Sequence, residues 1–161
     1  MITRLASLLL AECRTRGMWL ATAESCTGGM IAAALTAVPG ASAVMDRGVV
    51  TYSNASKTEL LGVPETLIAT HGAVSREVAI AMAEGMLSRS PAHLALSVTG
   101  IAGPEGGTAQ KPVGRVYLAC ARRRGSTLAV GCQFAGMRDT IRESSVAAAL
   151  TLGLRGALCL P

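Results

Sequence analysis

The order of elements along the 161-residue chain predicts a three-layer α/β/α sandwich around a mixed, mostly parallel five-stranded sheet. Three observations carry this. Short apolar runs alternate with helical patterns over the first hundred residues. A basic Arg122–Ser126 turn then joins two further strand-like runs, which must pair antiparallel. An apolar helical pattern closes the chain. Helix-strand alternation builds parallel strands, and the final hairpin reverses one of them. The expected organisation is one domain over residues 1–161, long enough to bury a substantial core.

The first helix places Ile2, Leu5, Leu9 and Cys13 on one face and ends near Gly17. "MWLATAE" reads as a buried strand, and "TAESCTGG" turns from it into the helix "GMIAAALTAV", which Pro39-Gly40 stops. A second strand runs from Met45. "SKTELLGV" then shows the capping-box spacing, with Ser56 three positions before Glu59, and ends at Gly62 and Pro64. "PETLIATHG" gives a further short helical turn. Ser75 caps a long helix whose buried stripe is Val78, Ala79, Met82 and Met86. "LALSVTG" is the third strand, "IAGPEGGTAQKP" an aperiodic loop, "VGRVYLACA" and "TLAVGCQF" the hairpin, and "MRDTIRESSVAAALTLGL" the last helix.

Composition narrows the function classes. Half of the residues are hydrophobic but only 2% are aromatic, so Ala, Val, Leu, Ile and Met must fill the core. A net charge of +5 favours anionic ligands. One Trp, two Tyr and one Phe leave almost nothing on which unpaired bases could stack, and no nucleic-acid partner is expected. Five cysteines without a CxxC pair argue against a disulfide framework or a zinc site, and no metal or cofactor is expected. Buried free thiols in a reducing cytoplasm are the simplest account. Glu12 and Arg14 interrupt the N-terminal apolar run without a cleavage site, and Arg155 with two glycines interrupts the C-terminal one, so neither a signal peptide nor a membrane span is expected. Alanine-rich helical surface favours self-association into a homo-oligomer.

Three polar, glycine-bearing segments leave the carboxyl ends of the first three strands, where ligands usually sit in such sheets. In "ESCTGG", Ser25 is either an N-cap or a nucleophile cradled by the N–H groups of Cys26 to Gly29, with Gly28 and Gly29 clearing an approach. Cys26 is a second possible nucleophile, and equally a small buried thiol. A serine needs a base. His71 and His93, the only histidines, form no convincing Ser-His-Asp order, which leaves Lys57 and Lys111, the only lysines. Lys57 stands in the first turn of a short helix, where a cation opposes the dipole; this suits a lowered pKa, or else a solvated side chain. Tyr52 and Ser53 could orient it or relay a proton. "SVTGIAGPEGGTAQKPVG" lacks the GK[ST] ending of a phosphate-binding P-loop and reads as a backbone cradle or as a plain surface loop. Arg138 and Arg142, one helical turn apart, could hold a phosphate or pair with Asp139 and Glu143.

Together "AESCTGG", "YSNASKTELLGV", "SVTGIAGPEGGTAQKPVGRVY" and "FAGMRDTIRESSVAAAL" resemble the CinA C-terminal domain family over almost the whole chain. The resemblance implies a stand-alone domain of the nicotinamide mononucleotide deamidase type, without the extra N-terminal domain of two-domain relatives, and a sheet with its fourth strand reversed. It implies metal-free Ser/Lys hydrolysis of nicotinamide mononucleotide to nicotinic acid mononucleotide and ammonia. Ser25 would be the nucleophile, Lys57 the base and Tyr52 an assistant. Thr27, Gly28, Gly29, Ser53, Thr99, Gly100, Ala102 and Gly103 would line the substrate pocket, with Arg138 or Arg142 on the phosphate. The rival expectation is a non-catalytic nucleotide-binding or regulatory module, in keeping with the family's association with competence and DNA damage. A third is an amidase for another pyridine or ribosyl amide.

Overall fold

The computed structural model describes residues 1–159; the last two residues of the expected 1–161 span, and so the end of the C-terminal apolar run, lie outside the described residues. Among the described residues six α-helices and five strands follow the expected order, with one further 3-10 turn at Ala41–Ala43: α1 Ile2–Thr15, β1 Leu20–Glu24, α2 Met30–Thr36, β2 Met45–Val50, α3 Asn54–Leu61, α4 Glu65–His71, α5 Arg76–Ser88, β3 Leu94–Gly100, β4 Arg115–Arg122, β5 Leu128–Gln133 and α6 Arg138–Leu158. The sheet order is β2-β1-β3-β4-β5. β1 pairs parallel with both β2 and β3, and β4 runs antiparallel to β3 and β5. One reversed strand in a mixed sheet is what the hairpin demanded.

Strand alternation gives the two faces of this sheet different textures. Leu20, Leu94, Leu96, Val98, Val116 and Leu118 join a core with α1, α2 and α6. Ala21, Ala23, Ala95, Ala119 and Ala121 face the other way and pack with α3, α4 and α5. The small face lets α5 lie close to the sheet, on the stripe Val78, Ala79, Met82 and Met86 that periodicity predicts. On the first face, α6 meets the sheet through Gly153 and Gly156. A Cβ at Gly153 would fall 2.9 Å from Leu9 and 3.1 Å from Leu96, so two residues that interrupt a span in the sequence are close-packing points in the fold.

Some local expectations change. Ser75 caps α5 as expected, its Oγ accepting from the Val78 N–H. The Ser56–Glu59 capping box does not form. α3 begins one turn earlier, with Ser53 as the N-cap accepting from the Ser56 N–H at 3.1 Å. Either serine is a residue type suited to an N-cap, but only the earlier start brings Lys57 a turn into the helix. In the basic Arg122–Ser126 turn, Arg123 donates to the Leu87, Ser90 and Ala92 carbonyls and so closes the end of α5. Cys13, Cys26 and Cys120 are buried, whereas Cys132 is half-buried and Cys159 exposed, so the buried-thiol expectation holds for three of five. No helix among the described residues is long and apolar enough to cross a membrane.

Candidate active site

The carboxyl ends of β1, β2 and β3 converge on a cleft of about 190 Å³. Ser25 and Cys26 enter it from β1, Tyr52, Asn54 and Lys57 from beyond β2, and Thr99, Gly100 and Ala102 from β3; Ala73, Val74 and Arg138 complete the lining. The three segments singled out in the sequence therefore line one cleft.

β1 ends in Glu24, a carboxylate with no exposure. Its Oε2 accepts from Thr27 Oγ1 at 2.7 Å, from the Gly29 N–H at 3.1 Å and from the Ile31 N–H at 3.0 Å; its Oε1 accepts from the Ala32 N–H at 2.8 Å. Glu24 thus occupies the start of α2 as an internal anion. This corrects the expectation that the amides up to Gly29 are open to a ligand. It also reassigns Thr27, fully buried and turned to Glu24 rather than to the cleft. Gly28 and Gly29 carry φ of 60° and 97°, conformations that side-chain-bearing residues rarely adopt. Within the chain a Cβ at either would meet only ordinary contacts, at 3.5 Å from Arg142 and 3.6 Å from Val50, so the turn's backbone conformation is what calls for glycine here. The Ser25 N–H donates to the Val98 carbonyl and the Gly28 N–H to the Ser25 carbonyl. Among the described residues, the Cys26 and Thr27 amides are the two in this turn that reach no oxygen acceptor inside the chain; the Cys26 N–H lies against its own sulfur.

Lys57 is 1% exposed. Its Nζ donates to Ser25 Oγ at 3.1 Å, to the Thr51 carbonyl at 2.8 Å and to the Tyr52 carbonyl at 3.3 Å. No carboxylate forms an ion pair with it among the described residues. Burial lowers its pKa from the ordinary 10.5, because desolvation disfavours the ammonium. α3, which carries this side chain, packs on α5, where Gly85 leaves room for the Leu61 carbonyl; a Cβ there would collide with that oxygen. Cys26 lines the same cleft, but burial pushes its thiol up to about 11, which leaves it protonated and a poor nucleophile near neutral pH.

The remaining candidates separate by contact. Tyr52 orients Lys57 with its carbonyl, while its hydroxyl accepts from Arg138 Nη2 at 3.1 Å. Arg138 Nη1 donates to the Gly103 carbonyl at 2.8 Å, which ties the aperiodic loop to α6 at the cleft mouth. Arg142 is turned away from the cleft, its Nε on the Cys26 carbonyl at 3.2 Å and its Nη2 on the Thr27 carbonyl at 3.1 Å. Its approach to Asp139 is loose, at 3.7 Å. Thr99 donates to the Ala73 carbonyl at 2.8 Å and fixes the opposite wall. Ser53 is the α3 cap, and Lys111 donates to the His71 carbonyl. His93 accepts from the Trp19 N–H at the amino end of the sheet, far from Ser25. Sequence reasoning gave no role to Glu24 or to the Thr51 carbonyl. An acid closing an otherwise apolar strand was a usable signal for the first; a backbone carbonyl leaves none.

An α/β protein with a cleft at the carboxyl ends of its parallel strands is the class these features define. Residues 2–156 match the CinA C-terminal domain, and the chain belongs to that family. It is 48% identical to the nicotinamide-nucleotide amidohydrolase PncC of Enterobacter agglomerans, over 90% of this chain and 88% of that protein. It is 53% identical to a CinA-like protein of Anaeromyxobacter sp. (strain K) over 92% of this chain; there it spans only 36% of the relative's length. Among solved structures, the competence/damage inducible protein CihA of Agrobacterium tumefaciens superposes with a TM-score of 0.93 at 47% identity, covering 96% of this chain and 95% of that one. The competence damage-inducible protein A of Klebsiella pneumoniae gives 0.95 at 37% identity, covering 99% of each.

Proposed function

We propose that this protein is a nicotinamide-nucleotide amidase that hydrolyses the carboxamide of nicotinamide mononucleotide through Ser25 and Lys57. The observation that carries the reading is the 3.1 Å contact between a buried, unpaired lysine amine and the hydroxyl of Ser25. A purely structural lysine gains little from burial without a counter-ion, whereas a base needs its neutral form accessible. The amidohydrolase name of the Enterobacter agglomerans relative supports the same reaction.

In this mechanism neutral Lys57 accepts the Ser25 proton as Oγ bonds to the carboxamide carbon. The carbonyl electron pair moves to oxygen, where the Cys26 amide, beside the nucleophile and bound to no oxygen of the chain, donates to it. The pair returns as the C–N bond breaks, and the Lys57 ammonium gives its proton to the departing nitrogen, releasing ammonia. Water, deprotonated by Lys57, then attacks the acyl-enzyme; Ser25 leaves with that proton, and nicotinic acid mononucleotide is freed. The cleft is smaller than most sites for whole ligands, so it takes the pyridine ring, with ribose and phosphate crossing the mouth toward Arg138. Tyr52 steadies that arginine.

Ammonia release from nicotinamide mononucleotide by wild type and by Ser25→Ala tests this. Turnover by the wild type, with a fall of at least about 10⁴-fold in the variant, is expected. Equal release by both, or none by clean wild type, overturns the reading in favour of a nucleotide-binding module. A panel of other pyridine and ribosyl amides checks the substrate.

A further inference from the structure

We infer that Arg142 is a positioning residue for the nucleophile turn: it orients the peptide units after Ser25 and thereby aims the Cys26 amide that the proposed reaction uses. This rests on the amidase reading for its chemistry but not for its geometry.

Arg142 lies one turn into α6, 116 residues from the turn it serves, and donates from two atoms of one planar group to two successive carbonyls, Cys26 and Thr27. Among the described residues the one cis peptide bond is Gly103-Pro104, so the bonds of this turn are trans. In a trans unit the N–H points opposite to the carbonyl that precedes it. Holding the Cys26 carbonyl toward α6 therefore turns the Thr27 N–H away from α6. Holding the Thr27 carbonyl sets the Gly28 N–H on the Ser25 carbonyl at 3.1 Å. That bond fixes the Ser25 carbonyl, and the Cys26 N–H must point the opposite way. One side chain, with the Met30 N–H as a second donor to the Thr27 carbonyl, thus sets three consecutive peptide planes.

The turn needs such a tie. Gly28 and Gly29 give it backbone freedom, and Glu24 secures only its far side, through Thr27 Oγ1, Gly29, Ile31 and Ala32. The Cys26 carbonyl is left to Arg142, which shares the Thr27 carbonyl with the Met30 N–H at 3.2 Å. A guanidinium can span two neighbouring carbonyls with a rigid fork; a lysine ammonium can serve one with a flexible stem. The two arginines in the first turns of α6 therefore divide the work, Arg138 at the mouth of the cleft and Arg142 beneath the nucleophile.

The test compares wild type with Arg142→Gln and Arg142→Lys, each first shown to melt cooperatively. With nicotinamide mononucleotide, kcat should fall about 100-fold in the Gln variant, as expected for a misplaced catalytic group, with KM within about twofold of wild type. The Lys variant should recover about tenfold of that loss. The pH midpoint of activity should not move, because the surroundings of Lys57 are intact. In amide NMR spectra of Arg142→Gln, the Cys26, Thr27 and Gly28 resonances should shift while those of Asn54 to Lys57 stay. A folded Gln variant with kcat within threefold of wild type, or a loss carried by KM alone, overturns the inference. So does an unperturbed turn. If wild type itself releases no ammonia, the amidase reading falls, and the NMR comparison alone decides whether Arg142 orients the turn.

Discussion

Glu24 and Lys57 lie at neighbouring strand ends, both withheld from solvent, and their surroundings differ in kind. Four donors converge on the Glu24 carboxylate, three of them backbone N–H groups at the start of α2. Lys57 has a hydroxyl and two carbonyls, and no anion. A buried charge met by enough opposite dipoles becomes part of the scaffold; one met by neutral oxygens is pushed toward its uncharged form. The difference separates a group that shapes the site from a group equipped to exchange a proton in it. Exposure alone would have ranked the two together.

Lys57→Met breaks the comparison most sharply. Turnover should drop about 10³-fold, the scale of a lost general base, with stability equal to wild type or higher because a desolvated amine is replaced by an apolar chain of similar length. Steady-state assays beside thermal melts check this. The pH dependence belongs to the same prediction. Since burial lowers the folded pKa of Lys57 below 10.5, activity should rise with pH through that pKa as the base becomes neutral. Between that pKa and 10.5 the unfolded chain still holds a proton that the folded chain has released, so Lys57 makes stability rise with pH across the window; below it, the full cost of burying the ammonium is present. In Lys57→Met this rise should be missing from denaturant titrations.

Glu24→Gln should do the reverse. It places an NH₂ donor among N–H donors and leaves buried groups unpaired, at a cost of about 3 kcal/mol in unfolding free energy. Turnover per folded molecule should fall less than in Lys57→Met. A larger kinetic than thermodynamic effect would mean that Glu24 belongs to the chemistry. The smallest effect is expected from Thr27→Val, which removes one hydroxyl donor from the Glu24 cluster. It should cost about 1 kcal/mol and leave KM unchanged; a raised KM would return Thr27 to the substrate-contacting set.

Most of the fold was legible because it depends on local signals. Pro39-Gly40, Ser75 and the Arg122–Ser126 turn are sequence-local, and the large-small alternation of the strands needs only period two. The capping-box error at Ser56 was also local: two serines within four residues offered caps, and the choice between them was made by where α3 must sit for Leu61 to pack under Gly85. The site was legible in part. Ser25 and Lys57 stood out because of the turn and the scarcity of lysine. Arg142 was indistinguishable from Arg138, since both are basic residues at helical spacing and nothing local says which faces the cleft.

By itself the sequence determined the order of elements, the reversed strand and the residue types able to act as nucleophile and base, since these follow from periodicity, turn chemistry and side-chain pKa. Only the tertiary structure decided that an amine 32 positions along the chain meets the Ser25 hydroxyl, that Glu24 rather than a ligand fills the start of α2, and that Arg142 reaches under the turn. Hydrogen bonds act over about 3 Å, and chain segments so far apart come that close only when the sheet has set its strand order and the helices have packed against its two unequal faces.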